Sequence, residues 1–483
     1  MSKEKMITSS NLVDDYVDRA DFEYFHDQTM EPYIRTVLDN TVRNMKIGSQ
    51  EFNIFVSKDF KEKYGTVLRV SNLKDISEIM MGFAVHDGQE FKLDVRIIKS
   101  NDNSIYYDLG LGKLVHINVN GWEIIDPPYP MFKKFSHQKE QSKPLKSNKE
   151  DFENIDQFIN IENEEQKYLF KVNLITCFIP GFPHPIEFLH GEQGSAKSTL
   201  TKIKKSLIDP SVLNSISLNK DNELIQAVSH HYYPTFDNLS VLKKQTSDLL
   251  CRFVTGEGYS RRKLYTDDDD IIYQYMRCIT LNGINQVATQ PDLLDRGLIF
   301  ELKTILPENR KCEQDIFKKF EDLKPKILGS IFSIVSASLK EFDSIILENP
   351  PRMADFTKWG CAVSKAMGLS EERFLNAYRH NTQLKNNIAI ESSPIALPVI
   401  ELMKDKNQIE ITATELYYDL KAVADTIGID TKSHYYPKDP NWLWRRLKEI
   451  RPNLLEYGIQ VDKIDEFRNE RGRLIRLEKL NGI

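Results

Sequence analysis

The sequence predicts an α/β protein flanked by two smaller modules. Three observations carry this. A short apolar strand beginning at Ile186 runs into a glycine-containing turn and then into a helical pattern, Leu200 to Leu207. Helical and strand patterns alternate over residues 151–390, as a parallel sheet with crossover helices requires. Short runs rich in β-branched and aromatic residues precede that stretch, and a helical segment ending in a hairpin follows it.

The bulk numbers bound the rest. A chain of 483 residues is long enough for two to four domains. With 40% hydrophobic and 28% charged residues it has a globular composition. The net charge of −6 excludes coating nucleic acid with the whole surface, so such contacts must use local patches. Five cysteines, none in a C-x-x-C pair, give no metal or disulfide signature and suit a reducing cytoplasm. No apolar leader and no stretch of membrane-span length is present, so a cytoplasmic protein without a membrane partner is expected.

In chain order, residues 1–47 are highly charged with aromatics spaced through Asp14–Tyr33, which predicts helices or an ordered arm. From about Phe52 the pattern shifts toward strands. Phe91–Ile98, Ser104–Leu109, Lys113–Val119 and Trp122–Ile125 read as an antiparallel unit, with its strongest hairpin signal at Asn118–Gly121. Lys133–Lys149 is lysine-rich, almost free of aliphatic residues, and reads as a linker.

The stretch Gly191-Glu192-Gln193-Gly194-Ser195-Ala196-Lys197-Ser198-Thr199 has the layout of a phosphate-binding loop. Glycines let successive N–H groups point inward, and the following helix adds its positive end. Lys197 can neutralise β- and γ-phosphates, and Ser198 can ligate Mg²⁺. Ala196 stands where a second glycine is usual, which is tolerated if φ there is negative. The other reading is a glycine turn followed by an ordinary helix.

The strand Tyr232–Asn238 ends in Asp237, a second candidate Mg²⁺ ligand. A hydrolytic enzyme usually carries Glu next, to orient water; here it is Asn238, which can hydrogen-bond water but cannot take its proton. Glu192 is a substitute base. A third strand, Arg277–Gly283, ends in Asn282, placed like the sensor-1 Asn of AAA+ ATPases. Arg296, after Asp292-Leu293-Leu294-Asp295, resembles the AAA+ arginine that reaches a neighbouring subunit's ATP site. Its alternative role is a surface salt bridge with Asp292 or Asp295. Between the second and third strands, Thr255–Tyr275 reads as a hairpin with Arg261, Arg262 and Lys263 on its first arm and acidic Asp267–Asp270 at its turn. It is similar to the channel hairpin of MCM and superfamily-3 helicases, against the alternative of a solvated charged hairpin.

This order resembles the AAA+ replication helicases of mobile elements, above all the Rep initiator-helicases of staphylococcal pathogenicity islands and cassette chromosomes. Phe236-Asp237-Asn238, Thr255–Gly258, Leu264–Asp269, Leu281–Asn285 and Pro351–Phe356 carry the likeness. The likeness implies a homohexameric ring that hydrolyses ATP with Mg²⁺ and unwinds DNA. It makes Arg352 a candidate second sensor. The expected divisions are residues 1–135, an N-terminal domain with the antiparallel unit; 136–150, a polar linker; 151–390, an AAA+ core with helical lid; and 391–483, a winged-helix domain.

In that last module, Asp439-Pro440 marks a helix start. Leu443, Leu447 and Ile450 share one face of the helix, with Arg445 and Lys448 opposite and Arg446 on the flank. A hairpin of Gly458–Ile464 and Arg473–Leu477, with Arg468 and Arg471 in its turn, completes a helix-plus-wing pattern for duplex origin DNA. The alternative is a lid extension with a solvated basic face. The leading functional expectation is an ATP-driven helicase that recognises its own origin. The runner-up is a DNA-binding initiator in which ATP controls assembly only, and a small-molecule P-loop kinase is third.

Overall fold

The computed structural model describes residues 9–19, 21–38, 41–110, 112–218, 221–239, 242–262, 270–283, 291–433, 435–469 and 472–480. The Ile186–His190 strand lies inside a parallel sheet ordered Thr235–Leu239, Thr280–Gly283, Ile186–His190, Gly297–Glu301. A parallel bridge from Ile216 to Phe236 extends the sheet at its open edge. Both faces are buried, as a parallel sheet demands. Leu189, Leu298 and Phe300 enter one apolar core, and Ile186, Phe188 and Ile299 enter the other. The alternation follows the two-residue period of a strand.

The N-terminal unit has the expected helix at Ser9–Val17 and otherwise differs from its expectation. Strands Glu23–Asp27, Pro32–Leu38 and Thr41–Lys46 occupy the charged region, and helices Gln50–Tyr64 and Val70–His86 occupy the region read as strands. For the Gln50–Tyr64 helix the reason is local and present in the sequence. Ser49 accepts a hydrogen bond from the Phe52 N–H, and Gly65 closes the helix at φ +67°. Phe52, Phe55, Val56 and Phe60 bury one helical face between these caps. The expected Phe91–Ile98 strand is divided: Gln89–Phe91 pairs with Glu23–Asp27, and Ile97–Lys99 starts the next sheet.

That second sheet, Ile97–Lys99, Ile105–Gly110, Lys113–Asn118 and Gly121–Ile125, is the antiparallel unit expected, with its hairpin at Asn118–Gly121. It does not share a core with the first unit. Ile105, Tyr107, Val115, Ile117 and Trp122 join the central core instead. Tyr107 and Trp122 lie 5.4 and 5.7 Å from Phe332 of the long Glu313–Glu341 helix. The division drawn at residue 135 therefore cuts through a packed body.

Residues 136–150 are a packed strap rather than a free linker. Gln141 donates to the carbonyls of Leu207 (2.8 Å) and Ser206 (3.1 Å) and to Tyr107 Oη (2.7 Å). Leu145 N–H donates to Pro325 O at 2.9 Å, and a Cβ on Gly329 would stand 1.7 Å from Leu145 O. Only glycine lets the strap cross the helix so closely.

The C-terminal module contains helices Ala396–Met403, Ala413–Thr426 and Pro440–Glu456 and strands Gln408–Thr412, Ile459–Asn469 and Gly472–Lys479. The sequence reading missed Gln408–Thr412, which pairs with Gly472–Lys479. Among the described residues no helix is long and apolar enough to cross a membrane.

Candidate functional site

Three strands deliver their C-terminal ends to one place. The loop after Ile186–His190 begins at Gly191 (φ +150°) and passes Gly194 (φ +85°). It ends at Ala196, with φ +63° and ψ +26°. The expectation of a negative φ at Ala196 is thus corrected. The turn needs a left-handed residue immediately before helix Lys197–Ile208, and alanine holds that conformation at a cost of about 1–2 kcal/mol. Ala196 O accepts the Leu200 N–H at 3.0 Å, the first turn of the helix.

The side chains of the candidate site converge. Ser198 Oγ donates to Asp237 Oδ2 at 3.1 Å, and Asn282 Nδ2 donates to Ser198 Oγ at 3.4 Å. Asn282 is 1% exposed, and its Oδ1 has no hydrogen-bond partner among the described residues. The register between Thr235–Leu239 and Thr280–Gly283 shifts between Phe236 and Leu239. Irregularities of this kind re-aim side chains beside functional sites, and this one falls at Asp237-Asn238. The side chain of Asn238 lies outside the described part.

Lys197 Nζ donates to Gly191 O (2.6 Å) and Glu192 O (2.8 Å) and lies 3.3 Å from Ser195 Oγ. Burial lowers its pKa, against the opposing pull of the Asp237 carboxylate. Ser195 Oγ donates to Glu192 O at 2.9 Å, so the loop is pinned internally. Glu192 accepts from Thr304 Oγ1 at 2.9 Å, while Gln193 is exposed and Thr199 half-buried.

Arg296 and Arg352 are elsewhere. Arg296 O accepts the Ile186 N–H at 2.9 Å, so Arg296 lies at the start of the strand whose far end leads into the loop. Four residue rises of about 3.3 Å put roughly 13 Å between the two ends. Arg296 pairs with Asp292, the salt bridge held open as its alternative role. Arg352 pairs with Asp295 and, at 2.5 Å, with Asp292. Burial raises the Asp292 pKa, and the two guanidinium groups more than offset it, leaving the carboxyl below its usual value. Arg352 thus shares a cluster with Arg296, not with Lys197, Ser198, Asp237 or Asn282.

The basic hairpin is present as Tyr259–Arg262 against Asp270–Tyr273, with Arg262 opposite Asp270. Lys263 and the tip lie outside the described residues, as do the side chains of Arg261 and Arg262. At its base, buried Arg277 pairs with Asp94 at 2.8 Å and donates to Val228 O at 2.8 Å. In the C-terminal module Asp439 caps the Pro440–Glu456 helix through the N–H groups of Asn441 and Trp442. Leu443, Leu447 and Ile450 are buried, Arg445 and Lys448 are exposed, and Arg446 pairs with Glu449 at 2.9 Å. Gly472–Lys479 pairs with Ile459–Asn469 as a hairpin longer than expected, with Asn469 opposite Gly472, so Arg468 belongs to the first strand rather than the turn; its side chain and Arg471 lie outside the described part.

Sequence reasoning missed the segment that closes over the loop. Leu302 N–H donates to His190 O (2.8 Å), Ile305 N–H to Gly194 O (3.2 Å) and Asn160 Nδ2 to Ser195 O (3.0 Å). No motif announces these residues; the parallel pairing of Gly297–Glu301 with Ile186–His190 delivers Leu302–Ile305 to the loop end, and the Lys303 N–H, donating to Asn160 O at 3.1 Å, holds Asn160 beside them.

Two family models match the chain. Residues 153–386 match the model described as actinomycete integrative conjugative element replication protein. Residues 395–482 match the model of the AICE RepA C-terminal domain. No curated protein matches. An A-form apo structure of the NrS-1 C-terminal region is similar at 13% identity, covering 95% of this chain and 96% of that one, with a TM-score of 0.41. A second apo structure of that region is similar at 13% identity and the same coverage, with a TM-score of 0.39. The two family matches together take in about two thirds of the sequence, and the chain belongs to the AICE RepA replication proteins of integrative conjugative elements.

Proposed function

We propose that this replication protein is an ATP-driven DNA helicase that starts replication of its mobile element. In this reading residues 151–390 are an AAA+ core of the kind found in the staphylococcal island Rep helicases, and the chain works as a homohexameric ring. The observation that carries the reading is the meeting of Ser198, Asp237 and Asn282 at the C-terminal ends of three parallel strands, directly beside Lys197. The strand bearing Asn282 lies between the loop strand and the Asp237 strand, an order that sets a polar amide between the phosphate cradle and the metal carboxylate.

The donor set fits ATP with Mg²⁺. Positive-φ glycines and the helix N-terminus suit phosphate oxygens, the hydroxyl and carboxylate oxygens suit a hard cation, and Asn282 Oδ1 has acceptor capacity to spare. Lys197 and the loop amides would hold the phosphates, and Ser198 with Asp237 would hold the cation. Asn282 would orient water. Bound Mg²⁺ supplies charge neutralisation at the β- and γ-phosphates. Arg296 would serve the adjacent subunit. Arg445 and Lys448 would face origin duplex from a winged-helix domain, and Arg261, Arg262 and Lys263 would grip the strand in the channel.

One observation favours the second reading, an initiator in which ATP only controls assembly: Asn238 follows Asp237 where a carboxylate base would stand. Steady-state ATP turnover with and without DNA, together with strand displacement, separates the two. The helicase reading expects both activities in wild type and neither in Lys197→Ala. Turnover by Lys197→Ala within about tenfold of wild type overturns the phosphate-loop assignment. ATP binding without DNA-stimulated turnover selects the assembly reading.

A further inference from the structure

We propose that Arg310 is a second cation of the nucleotide site, binding a phosphate of the nucleotide held by its own subunit's loop. The inference rests on the ATP reading above. It starts from the segment after Gly297–Glu301. That segment is tied to the loop at Gly194 through Ile305, at Glu192 through Thr304, and at Ser195 through Asn160. It then makes a single turn at Pro307–Asn309, which Arg310 N–H closes onto Pro307 O at 3.3 Å. The side chain turns back toward the loop, with Nε donating to Ile305 O at 3.3 Å.

The guanidinium lies against the open side of Gly194. A Cβ built there would stand 3.3 Å from Arg310 Nη2. Gly194, at φ +85°, therefore does two things: it shapes the cradle, and it lets a cation approach the cradle's backbone. Among the described residues no carboxylate pairs with Arg310, although its neighbour Glu313 pairs with Lys202 at 2.7 Å. Most other arginines of the central body are neutralised: Arg277 by Asp94, Arg296 by Asp292, Arg352 by Asp292 and Asp295, Arg373 by Glu165. An unneutralised planar fork beside an oxyanion cradle suits bidentate contact with phosphate oxygens.

Charge makes the contact useful. A nucleoside triphosphate carries roughly four negative charges, of which one divalent cation and Lys197 offset about three. Arg296 and Arg352 sit at the other end of the sheet and cannot supply the remainder within one subunit. Arg310 can, and its position is fixed by the segment that closes over the loop.

The test is equilibrium binding of ATP, ADP, adenosine and inorganic tripolyphosphate to wild type and to Arg310→Ala, Arg310→Gln, Arg310→Lys and Lys197→Ala, at one fixed salt concentration. Arg310→Gln keeps an N–H for Ile305 O and removes only the charge. Both neutral variants should bind ATP and tripolyphosphate about tenfold more weakly, with adenosine unchanged and Arg310→Lys recovering part of the loss. Unchanged thermal midpoints would exclude a folding defect. If Arg310→Gln binds ATP within about twofold of wild type while Lys197→Ala loses it, Arg310 is a solvated surface residue and the inference is wrong, with the ATP reading intact. If wild type and Lys197→Ala bind ATP and tripolyphosphate equally, the ATP reading falls and this inference with it.

Discussion

Removal of the Arg296 guanidinium tests the geometry most directly. Its backbone pairs with Ile186, at the start of the strand whose other end opens into the phosphate loop. The separation of roughly 13 Å along that strand, with the Arg296 head group held on Asp292, leaves it out of reach of Ser198 and Asp237 in the same chain. Arg296→Ala should therefore leave ATP affinity near wild type. Hydrolysis should fall by about 10³-fold or more, the usual worth of such an arginine at a transferring phosphoryl group. The defect should be repairable. In a head-to-tail ring mixed equally from Arg296→Ala and Lys197→Ala chains, about one interface in four joins an intact loop to an intact arginine. Mixtures should thus regain about a quarter of wild-type turnover, while each variant alone stays inactive. The assay is steady-state phosphate release against mixing ratio, with oligomer size followed in parallel. Normal turnover by Arg296→Ala, or mixtures no more active than their components, would refute the trans assignment.

Three further outcomes follow from the packing. Asp209 is fully buried, pairs with Arg96 (3.2 Å) and Lys205 (2.7 Å), and accepts the N–H groups of Tyr232 and Tyr233. Asp209→Asn leaves two buried cations uncompensated and should cost about 3–5 kcal/mol in denaturant unfolding of the central body; a loss under about 1 kcal/mol contradicts this. Burial holds His184 near a pKa of about 3, so the unfolded chain binds its proton first as pH falls below 6.5. Stability from this group is complete above pH 6.5 and should fall by about 1.4 kcal/mol per pH unit below it, levelling off near pH 3; His184→Phe should flatten that part of the profile, and an unchanged slope rejects the assignment. Ala196→Gly should relieve about 1–2 kcal/mol of left-handed strain against about 0.4–1 kcal/mol of unfolded-state entropy. A small rise in thermal midpoint is expected, and a fall would place Ala196 at negative φ.

The sequence alone determined whatever depends on neighbours in the chain. The strand-turn-helix of 186–207, the hairpin at Asn118–Gly121, the Asp439 cap and the apolar face Leu443, Leu447, Ile450 are short-range features, and each appears at the residues that signalled it. The Gln50–Tyr64 helix is also legible by local rules, since Ser49 and Gly65 bracket its apolar face. Tertiary structure decided everything that depends on what a face packs against. Period-two burial of Ile105, Tyr107, Val115 and Ile117 says that a sheet has a core, not whose core it is; Phe178 and Phe332 supply that answer from more than sixty residues away. A lysine-rich, aliphatic-poor strap reads as a linker because its bonds are made by Gln141 and by backbone groups, which hydropathy does not register. Charge type marked Arg296, Arg352 and Arg310 alike as cations. The Arg296 strand begins at one end of the sheet, where Asp292 and Asp295 also hold Arg352, and the chain leaving Glu301 at the other end carries Arg310 to the loop, because a parallel sheet gathers its loop ends on one edge and leaves its strand starts on the opposite one.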